Sequence, residues 1–315
     1  MAAFAPTTGT AFALRDPYPW VQLSGLARIG ELLGYRAMFM PEVGSRDVLA
    51  ALTGIAGETG GLMLGSGVLP VPARSPRLLA QAGATVQERS NGRLILGIGT
   101  GPSVPGALDR LRATVVMLRA AFAGERATTH EGEFFRLALV PDPPPPIWIA
   151  ALGPKAMRLA GAIGDGVLLN WCTPERVARA REELAEGAAA AGRDPGEITV
   201  GVYVRACVHG DAAAARLAVS TAAAEYASYP AYARQFARMG LGEEAGRAAA
   251  ARPADVPEGF VRAVAALGDR ADARARIEEY RSAGADLVVV YPVVVPGTPL
   301  ARSAQSTLEA LAPNG

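Results

Sequence analysis

Glycines follow two apolar stretches of the sequence and leave backbone N–H groups open to a ligand. Gly99 and Gly101 come at the end of a buried-strand pattern over 93–98, and Gly67 lies near the end of a similar pattern over 62–68. Because glycine has no Cβ, the backbone there can approach a flat or phosphorylated ligand closely. The structural alternatives are an ordinary strand end at Gly67 and a plain tight turn after the second stretch.

A second ligand-binding pattern is Leu152-Gly153-Pro154-Lys155, which stands between a predicted strand and a predicted helix. The N-terminus of a helix presents unpaired N–H groups and the positive end of the helix dipole, and both suit a phosphate. Lys155 is the only lysine of the chain, and its charge would strengthen such a site. The alternative is a lysine placed by chance on a solvated helix.

Other residue types that do chemistry form no recognisable constellation. His130 and His209 lie outside the predicted ligand-binding loops, and we interpret both as structural or exposed. Cys172 and Cys207 are the only cysteines, so no disulfide framework is indicated. No residues have the spacing of metal ligands, and neither a Gly-x-Ser-x-Gly nor a Walker A motif occurs.

These motifs require a scaffold that brings the ends of several strands together. Eight segments read as buried strands, and amphipathic helical stretches stand between most of them. This alternation predicts an α/β protein with a (β/α)8 TIM barrel, in which the carboxyl ends of all strands meet at one face. Several predicted helices end in glycine, as at Gly34 and Gly192. The predicted strands are 10–14, 36–40, 62–68, 93–98, 147–151, 166–170, 198–205 and 285–291, and the predicted helices include 20–33, 48–58, 154–162 and 174–191.

Two segments are longer than a simple βα unit, and we expect both as insertions at the carboxyl-terminal face of one barrel that spans 1–315. The segment 102–146 holds a predicted helix over 106–122, and the Ala-rich segment 211–270 holds two or three helices. Insertions at this face often shape a substrate pocket. Four aromatic residues of the second segment either line that pocket or only pack the insertion onto the barrel. They are Tyr226, Tyr229, Tyr232 and Phe236.

Charge and composition argue against several classes of partner. The chain has 31 Lys and Arg against 30 Asp and Glu, for a formal net charge of +1, so nothing indicates nucleic acid or an anionic membrane. No apolar stretch reaches membrane-spanning length, and no signal-peptide pattern is visible. We therefore expect a cytoplasmic protein that binds a small-molecule substrate.

Taken together, the motifs resemble the bacterial-luciferase-like flavin and deazaflavin oxidoreductases. In that family a strand ending in Gly-Val is followed by Pro, Arg and Pro, a helix, Ser-x-Gly-Arg and Leu-Gly-x-Gly-x-Gly. GYRAMFMPEVGSRD at 34–47, IWIAALGPKAMRLAGAIGDGVLLNW at 147–171 and DLVVVYP at 286–292 also match, while 211–259 matches weakly. The first match is carried by Gly67, Val68, Pro70, Arg74, Pro76, Ser90, Gly92, Arg93, Leu96, Gly97, Gly99 and Gly101.

The resemblance implies a role for each loop on the ligand side of the barrel. It implies a cis peptide bond between Gly67 and Val68, which forms a bulge behind the cofactor ring. Trp171 would line the ring pocket, although a core tryptophan is the alternative. The cofactor-binding residues expected from the resemblance are Gly67, Val68, Leu69, Gly99, Thr100, Gly101, Leu152, Gly153, Pro154, Lys155 and Trp171.

The resemblance also makes Glu42, in PEVGSRD, the preferred proton-handling residue. The alternative is that Glu42 pairs with Arg46 or caps a helix. Many relatives have His beside this acid, whereas this chain has Val43. Relatives that oxidise sugar phosphates have an acid after the glycine loop, whereas this chain has Pro102, which argues against that substrate class.

The function implied by the resemblance is hydride transfer between the deazaflavin F420 and a small organic substrate. PEVGSRD and the ALGP–GDGVLLNW segment look closer to F420-using relatives than to FMN-using ones. A reduced-FMN monooxygenase is the enzymatic alternative, and a non-catalytic barrel that binds or stores the cofactor is the third reading. Relatives are commonly homodimers, and we carry that over as an expectation.

Overall fold

Eight parallel strands close into a barrel in the computed structural model, which describes residues 9–15, 17–101 and 104–313. Each strand pairs with its neighbour in the ring, and the last strand pairs with the first through Ala11 and Val289. Helices cover the outside of the ring. The prediction of a (β/α)8 barrel is therefore confirmed, and all eight predicted strands are barrel strands.

The observed strands and helices of the barrel begin and end close to the residues that the sequence patterns predict. The strands are β1 (Ala11–Ala13), β2 (Ala37–Met40), β3 (Met63–Ser66), β4 (Leu69–Pro70), β5 (Leu94–Gly99), β6 (Ala127–Thr128), β7 (Phe134–Phe135), β8 (Ile147–Ala150), β9 (Gly166–Asn170), β10 (Thr199–Val208), β11 (Ala265–Gly268) and β12 (Leu287–Pro292). The helices are α1 (Trp20–Leu32), α2 (Val48–Ala56), α3 (Pro76–Arg89), α4 (Ala107–Phe122), α5 (Pro154–Ile163), α6 (Pro174–Ala190), α7 (Ala212–Ala227), α8 (Pro230–Arg238), α9 (Gly242–Ala250), α10 (Glu258–Val264), α11 (Arg270–Ser282) and α12 (Leu300–Ala310).

The barrel ring consists of β1, β2, β3, β5, β8, β9, β10 and β12 in that order. The two-residue β4 pairs with the end of β5, and β11 pairs with the last four residues of β10. Strands β6 and β7 form a small separate hairpin. Because all ring strands run parallel, their carboxyl ends and the loops that follow them lie at one face.

Large side chains fill the barrel interior, and glycines on neighbouring strands make room for them. Trp148 is fully buried, and a Cβ on Gly166 or Gly201 would lie 2.6 Å from its indole ring. Phe39 packs beside Trp148 with ring centroids 5.7 Å apart, and the ring of Tyr203 meets Phe39 edge-on at 6.2 Å. This packed interior supports the loops at the carboxyl-terminal face.

The second long segment contains more structure than the sequence predicts. Four helices, α7 to α10, stand where we expected two or three, because Gly240, with a φ of +78°, and Pro253 divide the segment further. Strand β11 was missed because its Ala-rich sequence lacks β-branched residues. The predicted break at Pro230 is confirmed, since α8 begins there. In the part of the chain described, no helix is both long and apolar enough to cross a membrane.

Candidate active site

A cleft of about 1140 Å³ opens at the carboxyl-terminal face of the barrel. Loops after the four ring strands β2, β3, β5 and β8 form its walls, and helix α8 of the second insertion lies along one side. The loops that the sequence predicts to bind a ligand meet here, although they are spread over more than a hundred residues of the chain. The predicted site residues that line the cleft are Glu42, Gly67, Val68, Gly99, Thr100, Gly101, Leu152, Gly153, Pro154 and Lys155.

The turn at Gly67 and Val68 forms part of the cleft floor. Its peptide bond is cis, as the family resemblance implies. The hydroxyl of Tyr203, which reaches across the barrel, donates a hydrogen bond of 3.0 Å to the carbonyl oxygen of Gly67. A Cβ on Gly67 would lie 1.8 Å from that hydroxyl, so only glycine fits beside Tyr203. Burial raises the pKa of Tyr203 well above its ordinary value, so the phenol stays protonated and donates.

The Gly99–Gly101 loop lies beside this turn. A Cβ on Gly99 would meet a methyl group of Val68 at 3.0 Å and Ala150 at 3.3 Å, so a side chain there would disturb both walls. Gly101 has a φ of +66°, a conformation that L-residues with side chains rarely adopt. The hydroxyl of Thr100 donates to the carbonyl oxygen of Gly101 at 3.2 Å. The loop therefore presents mostly backbone to the cleft.

The opposite end of the cleft carries positive charge. Helix α5 begins at Pro154, and its N-cap residue Gly153 makes no side-chain capping hydrogen bond, so the first N–H groups of the helix lack a side-chain partner. The guanidinium of Arg238 lies 3.6 Å from the Cβ position of Gly153. Lys155, in the first turn of α5, and Arg234, on α8, also line the cleft, and neither forms an ion pair within the described residues. An anionic group would be stabilised there by both the helix dipole and the side chains.

Glu42 lines the cleft, and both oxygens of its carboxylate already accept hydrogen bonds. Arg74 donates to both of its carboxylate oxygens, at 2.8 and 2.6 Å from Nη2, and the backbone N–H of Val48 donates at 3.1 Å. Arg74 also binds Asp47 at 2.8 Å, and that hydrogen bond lowers the pKa of Asp47 despite partial burial. The sequence suggested Arg46 as a partner, but Arg46 donates to the carbonyl oxygen of Tyr18 instead. A proton role for Glu42 stays a prediction, and it requires this pairing to open.

Two predicted cofactor-binding residues do not line the cleft. Leu69 alternates with Val68 and Pro70, so its side chain points away from them into the core between strands and helices. Trp171 has a φ of +49°, is fully buried, and packs against Tyr226 with ring centroids 5.1 Å apart. Both side chains therefore pack behind the cleft wall, and a cofactor-binding role for either residue stays a prediction.

Several lining residues were missed by sequence reasoning. Tyr203 and Arg205 follow each other at strand spacing on β10, and Tyr291 comes from β12. The sequence signal that could have identified this group is Arg205, a charged side chain among apolar residues near the end of a predicted strand. Burial raises the pKa of Tyr291 above its ordinary value. Burial also raises the pKa of Tyr232, on α8, to about 12, with a further contribution from the neighbouring Tyr226.

Three of the four insertion aromatics divide between the two predicted roles, whereas Tyr229 is 43% exposed and does not line the cleft. Tyr226 and Tyr232 line the cleft, with ring centroids 4.8 Å apart, whereas Phe236, on the buried face of α8, packs on the barrel side. Gln235 anchors α8 to the barrel, because its amide donates to the carbonyl oxygens of Asn170 and Trp171 at 2.7 Å each. The insertion therefore both packs on the barrel and contributes to the cleft wall.

Other reactive residue types stand apart from the cleft. Burial raises the pKa of Cys172 to about 12 and that of Cys207 to about 11, so neither thiol is poised to act as a thiolate nucleophile. His130 is exposed, and neither it nor His209 lines the cleft. Pro102, on which the sequence argument against sugar phosphates rests, lies outside the described residues.

Comparison with known proteins gives a consistent family. Residues 1–287 match the family model described as luciferase-like monooxygenase. The 5,10-methylenetetrahydromethanopterin reductase of Methanolobus tindarius is 31% identical over 226 residues, which are 67% of this chain and 68% of that protein. The F420-dependent hydroxymycolic acid dehydrogenase of Mycobacterium tuberculosis is 35% identical over 185 residues, which are 52% of this chain and 50% of that protein.

A solved structure has the same fold. The coenzyme F420-dependent tetrahydromethanopterin reductase of Methanopyrus kandleri superposes with a TM-score of 0.78 over 98% of both chains, at 21% sequence identity. At that identity the likeness shows the fold alone.

Proposed function

This chain belongs to the luciferase-like monooxygenase family, and from that premise we propose that it is an oxidoreductase that transfers a hydride between the deazaflavin F420 and a small organic substrate. Support for a reductase or dehydrogenase comes from relatives that carry those names. One of them is also named for F420. The observation that carries the proposal is the meeting of all predicted cofactor loops around one cleft.

The cleft fits a cofactor with a flat ring and a long anionic tail. A ring needs a close backbone surface, and the turns at Gly67 and Gly99 provide one, because a Cβ at either glycine would press on Tyr203 or on Val68 and shift the turn. A tail with phosphate and carboxylate groups needs positive charge at the other end. Lys155 and Arg238 supply that charge beside the N-terminus of α5, and Arg234 adds a third positive charge to the cleft lining. Three cations are more than a single phosphate requires, which favours F420 over FMN.

Each part of the chain then has a defined task. F420, when bound, supplies hydride chemistry on its ring and reacts poorly with oxygen. The backbone at Gly67 and Gly99 would orient the ring, and Tyr203 holds that turn in place through its hydrogen bond. Lys155 and the start of α5 would hold the phosphate, while Tyr226 and Tyr232 exclude water from the substrate side. Arg74 keeps Glu42 fixed at the cleft edge.

A reduced-FMN monooxygenase is the second candidate, because the family description itself names monooxygenases. It predicts oxygen consumption that depends on substrate. A barrel that only binds the cofactor predicts tight binding without turnover of any substrate.

An anaerobic turnover assay distinguishes these candidates. Purified protein is mixed with F420 in either redox state and with panels of hydride donors and acceptors, and the visible band of F420 is followed. We expect substrate-dependent loss or gain of that band without oxygen. Turnover only with FMN and oxygen would overturn the proposal in favour of the monooxygenase, and binding without turnover across the panels would favour the storage barrel.

A pair of glycine variants tests whether the cofactor ring lies against Gly99. Gly99→Ala places a methyl group 3.0 Å from Val68, so we expect weaker F420 binding. Gly246→Ala, on α9, meets nothing within 4 Å and should leave binding unchanged. Equal affinity in both variants would show that the ring does not lie against Gly99.

We also propose that the protein is a cytoplasmic homodimer, as the resemblance implies. Size-exclusion chromatography with light scattering measures the mass directly. A mass of one 32.5 kDa chain would contradict the dimer.

A further inference from the structure

Arg205 is a buried cation that the described chain does not neutralise. Only 5% of the residue is exposed, and it lies in the cleft wall near the end of β10. Its guanidinium donates one hydrogen bond, of 2.6 Å, to the side-chain oxygen of Asn170. Within the residues that the structure describes, no carboxylate forms an ion pair with it. A guanidinium keeps its charge in proteins and carries five N–H donors, so most of its donors have no acceptor among the described residues.

Four aromatic rings surround this guanidinium. Its central carbon lies 4.0 Å from the ring centroid of Tyr291, 4.7 Å from Trp171, 5.4 Å from Tyr226 and 5.6 Å from Tyr203. Ring faces attract a cation, and they also hold its plane in one orientation. They accept none of its in-plane N–H groups, however. The rings therefore hold the charged guanidinium in one orientation at the cleft, while most of its N–H donors have no acceptor among the described residues.

The geometry and charge of the Arg205 guanidinium indicate which ligand it binds. The planar arrangement of guanidinium donors matches the two oxygens of a carboxylate. Arg15, which also acts electrostatically on Tyr291, lies 3.6 Å from Glu225, so that pair adds no net charge. One unbalanced positive charge suits a monoanion better than a phosphate dianion. A second, exposed positive region at Lys155 and Arg238 is available for the cofactor tail.

We propose that Arg205 binds a carboxylate of the substrate, so that the substrates of this protein are small carboxylic acids. The identification of the carboxylate's bearer as substrate rests on the proposed F420-dependent function. The rings of Tyr203, Tyr226 and Tyr291, which line the cleft, supply an apolar wall for the rest of the molecule, and Tyr203 links this subsite to the turn at Gly67. A buried cation suits a group on the reacting molecule, because that group is sequestered from water during the reaction.

Binding of benzoate, with benzamide as its neutral isostere, tests this proposal on the protein as purified. Tryptophan fluorescence follows binding, because Trp171 packs directly against the guanidinium. We expect benzoate to bind at least tenfold more tightly than benzamide. Arg205→Met should weaken benzoate binding about ten- to hundredfold, the range expected for charge-assisted hydrogen bonds, and Arg205→Lys should fall between. Arg179→Met, which removes an exposed arginine of α6, is the matched control.

The outcomes separate this subsite from the proposed function. Equal binding of benzoate and benzamide by the native protein overturns the carboxylate subsite, and this comparison does not depend on how well a variant folds. Loss of F420 affinity in Arg205→Met, in parallel with loss of benzoate affinity, assigns Arg205 to the cofactor and also overturns it. Arg205-dependent benzoate binding in a protein that does not bind F420 supports the subsite and overturns the F420 function.

Discussion

Replacing Arg74 with methionine should lower the free energy of unfolding by about 2 kcal/mol, a value between those of exposed and buried ion pairs. The Arg74 and Glu42 side chains are only 15% and 16% exposed, and the variant leaves the Glu42 carboxylate without its main partner. Since unfolding entropy is roughly 2.1 cal/mol/K per residue, this 315-residue chain should melt about 3 °C lower.

Thermal and urea denaturation measure the effect, and the chain offers a matched control. Arg28 pairs with Glu58 at 2.8 Å, but the side chains are 52% and 35% exposed, so Arg28→Met should cost less than about 1 kcal/mol. A cycle with Glu42→Gln should show that most of the Arg74 effect disappears when the carboxylate is absent. Equal losses in Arg74→Met and Arg28→Met would refute the reasoning, because the burial of the pair would then carry no energetic weight.

Three further predictions concern charge at the cleft. Lys155→Ala should weaken F420 binding several-fold in a fluorescence titration, and an unchanged affinity would remove Lys155 from the phosphate site. Glu42→Gln should lower turnover more than cofactor affinity, and unchanged turnover would end its proton role. The hydrogen bond from Arg74 lowers the pKa of Asp47, so its contribution is present above the unfolded value of 3.8 and is lost as pH falls through the folded value. The stability difference between native protein and Arg74→Met should therefore shrink below about pH 4, and a constant difference in acid denaturation curves would contradict this assignment.

The barrel could be predicted because its strands are buried on both faces. Such strands give short apolar runs bounded by glycine or proline, and eight of them alternate with amphipathic helices. The same logic placed the ligand loops together, since the carboxyl ends of parallel strands meet. Strand β11 escaped because AALG has no strand-favouring side chains and pairs only with the end of β10.

The partners inside the cleft could not be predicted, because they join residues far apart in the sequence. Arg74 reaches Glu42 over 32 positions, and Arg205 reaches Asn170 over 35. The direction of the backbone explains why two predicted site residues, Leu69 and Trp171, do not line the cleft. Alternation along the strand turns Leu69 away from Val68, and the left-handed conformation of Trp171 turns its ring into the core. Neither choice is visible in residue type alone.

A side-by-side fluorescence titration of the purified protein with F420 and FMN tests the central claim most directly. The glycine turns and the three cations Lys155, Arg234 and Arg238 of the cleft lining predict micromolar or tighter binding of F420, and weaker binding of FMN because its single phosphate uses fewer of those charges. Tighter binding of FMN, or binding of neither cofactor, would contradict the proposed function.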